Sequence, residues 1–510
     1  MRKWVWLAAT AATILATPVM ARDTTRPVAG VSDDERAIAA GVDKAATRMD
    51  ADDEKGAEPD LKALIASPHF AGASTLTQAR ALTLLGICES VDGEPDAGLQ
   101  HLIQAGKTNP DVRDRTYWVE LAFVAYDLHK DELTGEAFSN TVVADPERAG
   151  ALSPGLIYET LRRLQKLQDG GAHRRQLLEA LTTAGYDPGD DPTAGETIRR
   201  DLFEVYAEAG EDAKARALLP DLVEPDTIVA LRADNRYRRL VVDNPDFNNF
   251  AAMQDRYIEI LRNRQASGGL PYAQALALSL MTANRLPEAL KVVDNALAIG
   301  DLAAGAHSDQ GDQTKWLLDT RTRILALMGR WDEVEAAQVK ARDSALKEGV
   351  DLVSQKINLA DLYNRLGRPQ DALKELSDLH DDKASVYGQM VAEQVRACAY
   401  AGLGDKDKLK ASLDIIRAHA GEARDLLASS LTCAGDEDAV AALTIARLDD
   451  PAQRNDELVN DQDYLPAPHP TAYDAAYDMH FRNVLKRPDV QAAIAKYGVV
   501  ESYPAFPPEN

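Results

Sequence analysis

Apolar residues recur along this chain at helical spacing, and glycines interrupt them at regular places. The sharpest instance runs from Leu359 to Leu376: Leu359, Leu362, Tyr363 and Leu366 form one stripe, Gly367 interrupts it, and Ala372, Leu373, Leu376 and Leu379 begin a second. The pattern predicts a helical hairpin. Gly367 suits the left-handed residue that ends a helix, and Pro369 falls where the next helix tolerates a missing N–H. Weaker copies recur along much of the sequence. Beta-branched runs and alternating patterns are scarce, so the chain is predicted to be all-α.

Taken in order, Arg2 and Lys3 precede an apolar run from Trp4 to Leu15, and Val19-Met20-Ala21 supplies cleavage-type residues. This predicts a secretory signal at 1–21, cut after Ala21, and a periplasmic or secreted protein. Residues 22–60 read as an acidic, flexible lead with at most one weak helix within Arg36 to Met49. A first array is predicted over 61–220. One unit carries Leu82, Leu85, Gly86, Gly93, Gly98, Leu102, Ala105 and Pro110, and the next carries Trp118, Leu121, Ala122, Ala125, Phe138 and Pro146. The two prolines are 36 residues apart, near the period of about 34 known for one helical repeat.

The period breaks at 221–250, which predicts an irregular connection. The basic run Arg232 to Leu240 there reads as a linker or an irregular hairpin between two arrays, with a contact site as the alternative. A second, more regular array is predicted over 251–445, with turn residues Asn284, Gly329, Gly367, Gly404 and Gly435. The Gly- and Asp-rich stretch from Ile299 to Gln313 reads as an exposed loop. Residues 446–510 are predicted as C-terminal capping helices and a tail. Tyr473, Tyr477 and Phe481 make a stripe that either caps the stack or forms an aromatic shelf.

On these residues the chain resembles the tetratricopeptide repeat family, in an exported bacterial form. It departs from the family pattern at Thr134 and Thr141, where the family prefers Ala. The resemblance implies a right-handed superhelix of stacked antiparallel helix pairs, with first helices lining a concave face that binds a protein or peptide. By the family pattern the groove positions are Gln274, Asp319, Arg323, Asp361, Asn364, Arg365 and Gln394. The family's Lys and Asn clamp for a C-terminal carboxylate is not reproduced, because Ile357 and Asp361 take two of its places.

The formal net charge of −25 over 510 residues repels phosphate backbones and acidic lipid headgroups. This argues against nucleic-acid and direct anionic-membrane binding, and leaves basic, sugar-like or peptide partners. Three cysteines in an exported chain predict one disulfide and one free thiol. Cys398 and Cys433, on first helices of consecutive hairpins, are the expected pair; three buried, unpaired cysteines are the alternative. No HExxH, Gly-x-Ser-x-Gly, Walker or Rossmann pattern is present, and no two of the nine histidines have four-residue spacing. No cofactor, metal site or catalytic residue is predicted. The acidic loop with Asp187, Asp190 and Asp191 reads as solvated, with a hard cation as the alternative.

The reading is therefore a non-enzymatic scaffold or adaptor of the bacterial envelope, in envelope assembly or polysaccharide export. The alternative is a carbohydrate-binding or polysaccharide-acting protein on a helical scaffold. Opposed acidic residues with perturbed pKa values in a deep pocket would favour an enzyme.

Overall fold

The structure, a computed structural model, describes residues 32–507 except 169, 190, 304–308, 349–351, 380–383 and 420–423. The predicted signal at 1–21 lies outside the described residues. The chain divides into two compact units, Met1–Pro188 and Gly189–Asn510.

The described part of the first unit is built from helices α1 (Asp33–Met49), α2 (Glu54–Ile65), α3 (Thr75–Val91), α4 (Pro95–Thr108), α5 (Arg115–Asp127), α6 (Asp131–Ala144), α7 (Pro154–Lys166) and α8 (Gly171–Thr183). Residues 22–31 of the predicted flexible lead lie outside the described residues; over 32–60 the reading is corrected, because α1 and α2 pack on α3. Ile38, Val42, Ala45 and Met49 are buried, and Ser32 and Asp53 cap the two helices with their side chains. Alanine-rich surroundings dilute that stripe in the sequence. Thr134 and Thr141 are buried in α6, yet their hydroxyls donate to the carbonyls of Lys130 and Ala137 at 3.0 and 2.9 Å. The departure from Ala is absorbed within the helix, and α5 packs along α6.

The second unit runs through α9 (Ala194–Glu208), α10 (Asp212–Leu218), α11 (Pro225–Ala233), α12 (Asn235–Val241), α13 (Phe250–Gly268), α14 (Leu270–Thr282), α15 (Leu286–Ala303), α16 (Asp309–Leu327), α17 (Trp331–Glu348), α18 (Leu352–Arg365) and α19 (Pro369–Glu375). It continues with α20 (Val386–Leu403), α21 (Lys406–Ala418), α22 (Arg424–Cys433), α23 (Glu437–Asp449), α24 (Arg454–Asn460), α25 (Ala472–Leu485) and α26 (Pro488–Tyr497). The hairpins turn where the sequence placed them. Asn284, Gly329, Gly367, Gly404 and Gly435 all adopt positive φ, between 56° and 72°, the left-handed region that Gly and Asn enter at least cost. The described residues of the predicted loop at 299–313 are helical instead, since α15 runs to Ala303 and α16 starts at Asp309; 304–308 lie outside the described residues.

The expected break at 221–250 is also corrected. The division falls at 188/189, and 221–250 holds α11 and α12, whose Ile228, Leu231, Tyr237, Leu240 and Val241 join the core with Phe247. The periodic signal is lost there because the helices are short, not because the chain is exposed.

The C-terminal residues do more than cap. α25 and α26 pack on α23, while α24 packs on both α23 and α11. The chain then returns to the start of the array: Val499 N–H donates to the Ala233 carbonyl at 3.0 Å, and Phe506 N–H to that of Thr282 at 2.9 Å. A Cβ at Gly498 would lie 2.2 Å from the Ala233 carbonyl oxygen, so only glycine permits this approach. The last hairpin of the unit is thereby fastened to its first helices.

Candidate functional site: the inner helices of the second unit

The first helices of four successive hairpins, α14, α16, α18 and α20, carry the predicted groove residues. Gln274 on α14, Asp319 on α16, Asp361 and Arg365 on α18 and Gln394 on α20 are half-buried, and Arg323 is exposed. Asp319 and Arg323 form an ion pair one turn apart, at 2.8 Å. Cys398 on α20 and Cys433 on α22 are joined by a disulfide with Cα atoms 5.4 Å apart, and Cys88 is a free, buried thiol.

Asn364 does not belong to an open groove. It is only 3% exposed, and its Nδ2 donates to the Val395 carbonyl on α20 at 2.8 Å. The side chain bolts two inner helices together. Asn364→Ala is expected to destabilise the unit by about 1–3 kcal/mol, because a buried carbonyl loses its donor, with no change in what the exposed groove residues bind. Urea unfolding of the two proteins measures this.

Arg365 is engaged within the chain. Its Nε and Nη2 donate to the two Asp474 oxygens at 3.0 and 3.3 Å, and its guanidinium lies 4.9 Å from the Trp331 ring centroid. Asp361, one turn earlier on α18, has its carboxyl raised by burial, against the Arg365 charge and reinforced by Asp474.

The basic run at 232–240 is neutralised internally. Arg232 reaches Glu501 at 2.7 and 2.9 Å and the Phe247 carbonyl at 2.9 Å, Arg238 reaches the same Glu501 at 2.7 Å, and Arg236 pairs with Asp234 at 2.7 Å. Arg232 and Arg238 hold the returning C-terminal residues, and this is neither a linker nor an open contact site.

A second group went unnoticed in the sequence. Glu196 on α9 is nearly buried and accepts the Glu224 N–H at 2.6 Å, capping the start of α11. Burial pushes Glu196 up to about 7 and Glu224, repelled also by Glu196 and Asp226, up to about 8. Asp226 reaches solvent, yet the surrounding protein pushes it up to about 6, against Arg200. Tyr257 on α13 is 8% exposed, and its hydroxyl is raised by burial and then by the same carboxylates. The Glu-Pro-Asp start of α11 was the available sequence signal.

Among the described residues, no group of three or more His, Cys, Asp or Glu is placed to hold a metal ion. Among them, too, no helix is long and apolar enough to cross a membrane.

No family profile and no curated protein matches the chain. Similar solved structures include the Rap protein complexed with Competence and Sporulation Factor, 12% identical, covering 90% of this chain and 99% of that one, with a TM-score of 0.27. Naa15/Naa10 bound to HypK-THB is 12% identical over 90% of each chain, with a TM-score of 0.25. The TPR domain of P58(IPK) is 12% identical over 70% of this chain and 98% of that one, with a TM-score of 0.19. The fold rests on the chain's own hairpins: they make it an all-α, tetratricopeptide-like helical solenoid.

Proposed function

We propose that the chain is an exported, non-enzymatic scaffold of the bacterial envelope that binds a protein or peptide along the inner helices of its second unit, in envelope assembly or polysaccharide export. The observation that carries this reading is the row of polar, solvent-reaching side chains on consecutive first helices: Gln274, Asp319, Arg323, Asp361 and Gln394. Behind it, buried residues such as Leu276, Ile324, Leu362 and Val395 hold the stack. Such a surface recognises an extended or helical segment through many modest contacts.

In-cell crosslinking of wild type and the triple variant Asp319→Ala, Asp361→Ala, Gln394→Ala tests it, with mass spectrometry reading the captured protein. One defined envelope protein is expected with wild type, reduced about tenfold in the variant, as for the loss of a few interface contacts. Unchanged capture by the variant removes the inner face from consideration. Mass spectrometry of the exported chain also reads its N terminus, expected after Ala21.

The alternative, a polysaccharide-acting protein, draws on the raised carboxyls of Glu196 and Glu224, since proton donors and acceptors near neutral pH are what acid–base chemistry needs. Glu196 already has a structural task at the start of α11, which favours the scaffold.

A further inference from the structure

The inner face is not free along its whole length, because the C-terminal helix α25 reaches from the α22–α23 hairpin to the end of α18. Its two halves are held in different ways. The C-terminal half is anchored by Val484, the one buried residue of α25, in an apolar cluster with Leu431, Val440, Val490 and Ile494. Ala472, Ala475, Ala476 and Asp478 of the N-terminal half are exposed, and Tyr473 and Tyr477 are half-buried. That half is held at α18 by charge: Asp474 takes both nitrogens of Arg365, which is positioned over Trp331. The approach before the helix is close, since a Cβ at Gly329 would lie 3.0 Å from the His469 Cβ. Thr471 and Asp474 form a reciprocal capping box, so the helix start is complete in itself and does not depend on α18 for its N–H partners.

A helix end with no fully buried side chain, held by two half-buried tyrosines and one ion pair, separates from its neighbour more readily than the buried end. We propose that the N-terminal half of α25, residues 472–478, is an internal ligand that latches the α18 end of the inner face. The partner that displaces it is an acidic peptide segment whose carboxylate takes the place of Asp474 on Arg365. The chemistry follows from the occupant already seated there: a helix start presenting a carboxylate, with Tyr473 beside it, to an arginine backed by an indole. The inference rests on the reading of this face as a binding surface and adds what covers it and what uncovers it.

Hydrogen exchange of the full chain tests the latch without any external partner. Two variants remove the ion pair and keep the rest: Asp474→Asn retains an oxygen for the capping box, and Arg365→Gln leaves α25 untouched. In both, exchange across 471–478 is expected to rise about fivefold, the value of an ion pair worth about 1 kcal/mol, while 484–497 is unchanged. Wild type in about 0.5 M salt should move the same way, because screening weakens a partly exposed pair. A joint loss of protection over 471–497 makes α25 a permanent cap and overturns the proposal, as does unchanged exchange in both variants.

A labelled peptide of residues 471–485 then probes the partner chemistry. It is expected to bind the Asp474→Asn protein about fivefold more tightly than wild type, for the same ion-pair energy, and to lose this when its own Asp474 is alanine. Equal binding by both peptides, or none, overturns the acidic-partner half of the proposal. Failure of envelope capture while the latch opens as expected would count against the scaffold reading instead.

Discussion

Reduction of the Cys398–Cys433 bridge lowers the stability of the second unit by about 3–4 kcal/mol, the chain-entropy value for a loop of this length. The two cysteines are 35 residues apart and tie α20 to α22, so the unfolded chain gains the freedom of a whole hairpin when the bridge opens. Urea unfolding with and without reductant measures the loss. Thiol titration provides the check. The native protein should expose no reactive thiol, because Cys88 is buried and burial, helped by Glu54, Glu58 and Asp92, pushes it up to about 12. Unfolded without reductant, the chain should show one thiol, and with reductant all three. Three thiols before reduction would mean that the bridge is absent from the cell's product, and with it the argument for an oxidising compartment.

The second large effect is a loss of stability with rising pH. Glu196, at about 7, and Glu224, at about 8, hold their protons in the folded chain well above the 4.5 of a free glutamate. The folded state therefore binds more protons than the unfolded state between about pH 4.5 and 8. Stability is full below that window and falls as pH rises through it. Each group can lose up to about 1.4 kcal/mol per pH unit. Coupling between the two, and partial access of Glu224 to solvent, bring the expected loss from pH 5 to 8 to about 2 kcal/mol. Asp461 adds in the same direction: it is fully buried, and burial, helped by Glu457, raises it well above its ordinary value. Glu224→Gln removes one carboxyl and should raise the urea midpoint at pH 8 while leaving that at pH 5 nearly unchanged. An equal effect at both values would mean that Glu224 is ionised throughout.

The hairpins of the second unit were legible because each carries its own local instruction. A residue that enters the left-handed region sits five positions before the small or aliphatic residue of the next helix, as at Gly367 and Ala372. The cysteine bridge followed from the same register. Where information is not local, sequence reading failed. Arg232 looked like part of an isolated basic patch because its partner, Glu501, lies 269 residues away. Arg365 looked free because Asp474 lies 109 residues on. Asn364 was placed by repeat pattern on the groove side, yet the amide is spent on the Val395 backbone. The helices at 33–65 and 225–241 were only weakly legible for a different reason: they are short or alanine-rich, and their apolar stripes are too sparse to stand out from a flexible lead or a connection.

The return of the C-terminal residues to α11 and α14 also fixes an order of events in folding. The hairpins from α14 to α23 contact their neighbours and can form as they emerge. The core around Val229 and Phe250, by contrast, is completed by Tyr464 and Tyr503. Contacts of such sequence separation form late, since the chain between them must first be ordered. A product that stops before about residue 500 therefore leaves the start of the array as open as its end. Emergence of residues 499–506 is itself the signal that the unit can become stable.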